Sequence, residues 1–133
     1  MNPYGYSDAV WCLFKEAPRA GRFEPVGNGG AVISGSASTP ASRSVLSLHL
    51  KTGGGRVMDA RFQAYGCPTT IAVGAWLAQQ AIGRRLEELS DLKSVLIRQD
   101  LEIPDERAHC ALLGEDAIKA VLAAMDAHEA AGQ

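Results

Sequence analysis

The chain has 133 residues, of which 47% are hydrophobic and 21% charged, a length that fits one domain spanning residues 1–133. Thirteen Lys and Arg against 15 Asp and Glu give a net charge of −2, so no basic excess points to a nucleic-acid partner. Three cysteines, an odd number, disfavour a secreted, disulfide-framed domain and leave at least one sulfur to explain.

The start, MNPYGYSDAVWCLF, lacks the basic-then-apolar order of a signal peptide. The longest uncharged apolar run, 71–78 (IAVGAWLA), falls far short of the ~20 residues that cross a bilayer. A cytoplasmic protein without a membrane partner is expected. Residues 6–16 place Val10, Leu13 and Phe14 at helical spacing. Residues 27–40, rich in Gly and Ser, read as a loop with one short strand at 31–34. Residues 44–50 (SVLSLHL) alternate, with Leu46, Leu48 and Leu50 on one face and Ser47 and His49 on the other. A TGGG turn at 52–55 leads to a second alternating run, 56–65, with Met58, Ala60, Phe62 and Ala64 on its apolar side.

Pro68 then suits the first position of a helix over 68–82, where its missing N–H costs nothing. That helix carries Ile71, Ala75, Ala78 and Ile82 on one face, flanked by Ala72 and Trp76. One or two short helices follow over 86–101, and Pro104 interrupts the pattern. A last helix over 111–130 lines up Leu113, Ala117, Val121 and Ala124, supported by Ile118, Leu122 and Met125. A hairpin followed by helices predicts an α+β fold: a small antiparallel sheet with helices packed on one face.

Cys67 is the sharpest chemical feature. It occupies the N-cap position of the helix that Pro68 opens, where free N–H groups and the helix dipole stabilise a thiolate, the form that attacks and binds soft metals. Taken alone, it is equally well an ordinary buried small residue. His109 and Cys110 are read in a loop before the last helix, where adjacent side chains converge on one centre if the loop is curved. Two sulfurs and one imidazole suit zinc or iron–sulfur ligation but leave a fourth position open. Cys12 is expected in a core or subunit contact, while His49 and His128 are read as surface residues. The run Gly27-Asn28-Gly29-Gly30 has neither GxGxxG spacing nor a Walker lysine, so it does not read as a phosphate loop. Asp59, Glu115 and Asp116 lack a paired-carboxylate signature; solvation and helix capping account for them.

The ordered segments YSDAV, VLSLHLK, DARFQAYGCPTTIA, LEELS, LEIP and HCALLGEDAIKAVLAAM resemble the IscU/NifU-type iron–sulfur cluster assembly scaffolds over nearly the whole chain. The resemblance implies a small antiparallel sheet with helices on one face. It also implies a 2Fe–2S cluster, iron or zinc held at one exposed end by three cysteines plus a histidine or aspartate. It places Cys67, His109 and Cys110 in that metal- and cofactor-binding set and names no catalytic residue. The partners it implies are a cysteine desulfurase, an HSP70-type chaperone with its J-protein, and recipient apo-proteins.

The family's first cysteine is missing. In the register set by residues 45–50, Ser42 stands at that position, Ser44 at the family's aspartate, and Arg43 at the glycine between them. Arg107 replaces a lysine two residues before the histidine, and Pro104-Asp105-Glu106-Arg107 replaces the chaperone's proline–valine–lysine run. A serine hydroxyl stays protonated near neutral pH and binds soft metals poorly. The expectation is a divergent, non-enzymatic scaffold with an incomplete ligand set, completed by water, an outside thiol, His49, Cys12 or a second subunit in a homo-oligomer. The alternatives are a paralogue that partners a desulfurase or complete scaffold without binding a cluster, and a thiol or persulfide carrier.

Overall fold

A computed structural model describes residues 5–23, 31–40 and 43–131. Helix α1 (Asp8–Glu16) begins where the Ser7 hydroxyl accepts the Val10 N–H at 3.1 Å, and that hydroxyl also donates to the Leu101 carbonyl. Strands β1 (Ala31–Thr39), β2 (Ser44–Gly53) and β3 (Arg56–Tyr65) form one antiparallel sheet in the order β1-β2-β3. Then come α2 (Pro68–Ala81), a 3₁₀ turn (Leu86–Asp91), α3 (Ser94–Leu101), a second 3₁₀ turn (Asp105–Arg107) and α4 (Ala108–Ala131). The expected α+β class is the one observed. Among the described residues no helix is long and apolar enough to cross a membrane.

The leucine alternation holds: Leu46, Leu48 and Leu50 are fully buried beneath the helices, and His49 faces the other way. There its ring nitrogens lie 2.7 Å from the Ser34 hydroxyl and 3.0 Å from the Gln63 side chain. Gly54 and Gly55, both at positive φ, form the two-residue turn between β2 and β3.

Two strand expectations need correction. Met58 is 63% exposed while Val57 is buried, because the β2–β3 register shifts between Lys51 and Thr52. Lys51 pairs with Asp59 and Thr52 with Val57, so Met58 is an extra residue whose insertion reverses the inside–outside order. In addition, β1 extends through Thr39 and pairs with β2 along its whole length. Its buried side carries Ile33 and Gly35, and a β-carbon at Gly35 would lie 2.4 Å from the Val121 backbone nitrogen. Helix α4 therefore packs directly on the β1 backbone.

Helix α2 lies between the sheet, α1 and α4, so its burial is wider than one face. Ala72, Val73, Ala75, Trp76, Leu77 and Ala78 are all buried, whereas Ile71 and Ile82 are only partly so. The Trp76 indole N–H donates to the Asp100 carboxylate, which satisfies the one polar atom of a large core side chain. The Glu115 carboxylate accepts the Ser94 N–H at 2.8 Å and lies 3.2 Å from Lys119. The Ser94 N–H first, then Lys119, hold it below the usual carboxylate range against the effect of burial. Helix capping thus accounts for Glu115, as the sequence suggested.

Candidate metal centre

The β3 strand ends at Tyr65, and Gly66 turns the chain into α2 with φ at 152°. A β-carbon there would meet the Ser44 hydroxyl at 2.9 Å and the Thr70 hydroxyl at 3.1 Å. Only glycine combines that dihedral with so close an approach. The tight passage sets Cys67 in extended geometry at the N-cap of α2, with Pro68 at its start. Cys67 is half-buried and Cys110 fully buried, and both are free thiols.

Their Sγ atoms lie 3.7 Å apart. The Thr70 hydroxyl reaches both, 3.6 Å from Cys67 and 3.5 Å from Cys110. Such a pair is stable with one negative charge. The hydrogen bond from Cys110 pulls the Cys67 thiol down to about 4 despite burial, with help from the Thr70 and Thr69 backbone and the Thr70 hydroxyl. The same hydrogen bond, then burial and repulsion from Cys67, push the Cys110 thiol up. Cys67 is therefore the thiolate and Cys110 donates its S–H.

His109 and Cys110 do not sit in a loop. Helix α4 begins at Ala108, three residues earlier than expected, so both belong to its first turn. Neighbouring helical positions point about 100° apart, and here Cys110 turns inward while His109 is exposed. Among the described residues no three His, Cys, Asp or Glu side chains gather into a ready metal cluster. The structure thus brings Cys67 and Cys110 together and leaves His109 on the adjoining surface. Cys12 is exposed on α1, not in the core, and His49 is engaged on the outer sheet face. The Ser42 substitution and the His128 side chain lie outside the described residues. Ser44 is buried at the start of β2, close to Gly66.

Thr70 was missed in the sequence. Its signal is the spacing: an N-cap residue and the residue three positions later face each other across the first helical turn. Also missed was an open depression of ≈ 490 Å³ lined by Arg43, Ala64, Tyr65, Gly66, Cys67 and Ile71, which exposes the Cys67 side of the pair.

Two sulfurs at about 2.3 Å from one tetrahedral ion stand about 3.8 Å apart, and the observed 3.7 Å spacing matches that separation. The fold and site define a small α+β domain with a cysteine pair suited to metal ligation at one end. The chain belongs to the NifU-like N-terminal domain family, whose model matches residues 5–131. It is 35% identical over 119 residues to the iron–sulfur cluster assembly scaffold protein IscU of Escherichia coli K12, covering 89% of this chain and 91% of that protein. The IscU scaffold protein of Azotobacter vinelandii is 33% identical over 118 residues, covering 88% and 91%. The crystal structure of FiSufU from Fervidobacterium islandicum AW-1 superposes with a TM-score of 0.71 over 88% of this chain and 96% of that one, at 17% identity, which supports the fold.

Proposed function

We propose that the protein is a non-enzymatic iron–sulfur cluster assembly scaffold that holds its cargo through an incomplete ligand set. The observation that carries this reading is the 3.7 Å separation of the Cys67 and Cys110 sulfurs, the bite of a tetrahedral metal. Cys67 and Cys110 supply two sulfurs, and the exposed His109 supplies an imidazole nitrogen from the same helical turn as Cys110. The cargo is a 2Fe–2S cluster, with iron or zinc bound by the same residues in its absence. The hydrogen bond between the two sulfurs leaves one negative charge on the pair, and the Thr70 hydroxyl reaches both of them. The partners, by likeness to the family, are a cysteine desulfurase, an HSP70-type chaperone with its J-protein, and recipient apo-proteins in the cytoplasm.

Anaerobic reconstitution with iron and sulfide tests this. Iron and acid-labile sulfide should be bound in equal amounts and lost in Cys67→Ala. Neither iron nor zinc bound above the level of the double variant Cys67→Ala/Cys110→Ala would overturn the reading.

The serines at 42 and 44 favour a second reading, a paralogue that pairs with a desulfurase or a complete scaffold without a cluster of its own. It would be supported if the reconstituted protein stayed metal-free yet recovered either partner from native extract.

A further inference from the structure

The depression beside Cys67 holds a charge that the cysteine pair does not use. Among the described residues Arg43 is the one basic side chain lining it, and it stands at φ 54°, in the left-handed region that non-glycine residues seldom adopt. None of the ion pairs among the described residues involves it. The rest of the lining is Ala64, Gly66, Cys67, Ile71 and the 72%-exposed Tyr65, so Arg43 and Cys67 share a depression whose other walls are largely apolar. At ≈ 490 Å³ the depression falls within the range of about 300–1,000 Å³ that takes small molecules.

We propose that this depression takes a low-molecular-weight thiol bearing a carboxylate, with the carboxylate on Arg43 and the sulfur beside Cys67 as a third sulfur donor to the metal. The inference rests on the reading of Cys67 and Cys110 as metal ligands and supplies what that reading lacks. With serine at 42, the position matched to the family's first cysteine, the segment before β2 brings no soft donor, and Arg43 beside it offers a cation instead. A guanidinium fork matches a carboxylate in shape and charge. The apolar walls suit the carbon chain between the two ends of such a ligand. On ligation the thiol loses its proton to solvent, and no bond between heavier atoms of the guest is broken.

Cobalt(II) provides the probe, because its sulfur-to-metal charge-transfer absorption grows with the number of bound thiolates. The full-length protein loaded with cobalt is titrated with glutathione, which carries carboxylates, and separately with cysteamine, which carries an amine. Glutathione should raise the absorption by about half, as the third sulfur joins two. It should half-saturate at roughly fivefold lower concentration than cysteamine, the upper size of one exposed charge pair. Native mass spectrometry should show one protein, one cobalt and one glutathione. Arg43→Gly and Arg43→Asn, both suited to the left-handed backbone, should abolish the difference between the two thiols.

Equal half-saturation by both thiols, unchanged preference in the Arg43 variants, or absence of the ternary species would overturn the proposal while leaving the metal site standing. Cobalt that binds without any sulfur absorption would instead overturn the metal site, and this proposal with it.

Discussion

The sulfurs of Cys67 and Cys110 lie 3.7 Å apart although 43 positions separate the two residues in the chain. The Gly66 passage fixes one and the first turn of α4 fixes the other, with Thr70 bridging them. The pair is therefore a product of the fold rather than of a local motif, and its chemistry is that of a shared proton.

Cys67 should be alkylated by iodoacetamide at a rate already near its plateau at pH 6, since its thiol titrates at about 4. Cys110, buried and held protonated, should be modified only on unfolding. Cys110→Ala should move the Cys67 midpoint back towards the ordinary 9.0. Peptide mass spectrometry across pH reads all three outcomes; an unmoved midpoint would remove Cys110 as the cause.

Linkage gives the pair a pH signature in stability. Between about 4 and 9.0 the unfolded chain binds the Cys67 proton and the native protein does not, so stability rises with pH. Above 9.0 the unfolded chain releases the Cys110 proton that the native protein keeps, so stability falls. Urea unfolding should show this turnover near pH 9, and Cys67→Ala should flatten the rise beneath it.

Gly66→Ala should destabilise the protein by about 1–3 kcal/mol, because its φ of 152° and the Ser44 and Thr70 hydroxyls both oppose a β-carbon. Zinc affinity should fall with stability, since the same turn positions Cys67. A melting temperature equal to that of the parent would show that the turn is not constrained as described.

Gly35→Ala acts at the other end of the packing. Its methyl would lie 2.4 Å from the Val121 nitrogen, a backbone atom that moves only if α4 lifts from β1. A loss of about 1–3 kcal/mol or more is expected in thermal denaturation. Wild-type stability would mean that α4 does not rest on β1 at Gly35.

The hairpin strands and the Cys67 helix cap were legible because their signals are local. Leu46, Leu48 and Leu50 alternate along one strand, and Pro68 marks a helix start beside Cys67. The misses arose where tertiary contacts decide. Strand β1 carries Gly35 at a buried position because α4 leaves no room for a side chain, so its sequence looks like a loop. Met58 faces outward because of a register shift in pairing with β2, which no pattern within β3 alone reveals. Helix α4 starts ahead of its apolar stripe, which hid the first-turn placement of His109 and Cys110.

Zinc K-edge X-ray absorption on the zinc-loaded protein tests the metal centre most directly. Two sulfur neighbours at about 2.3 Å are predicted, falling to one in Cys67→Ala, with the rest of the shell nitrogen or oxygen. A shell without sulfur, or one unchanged in Cys67→Ala, would contradict the assignment of Cys67 and Cys110 as the pair that holds the cargo.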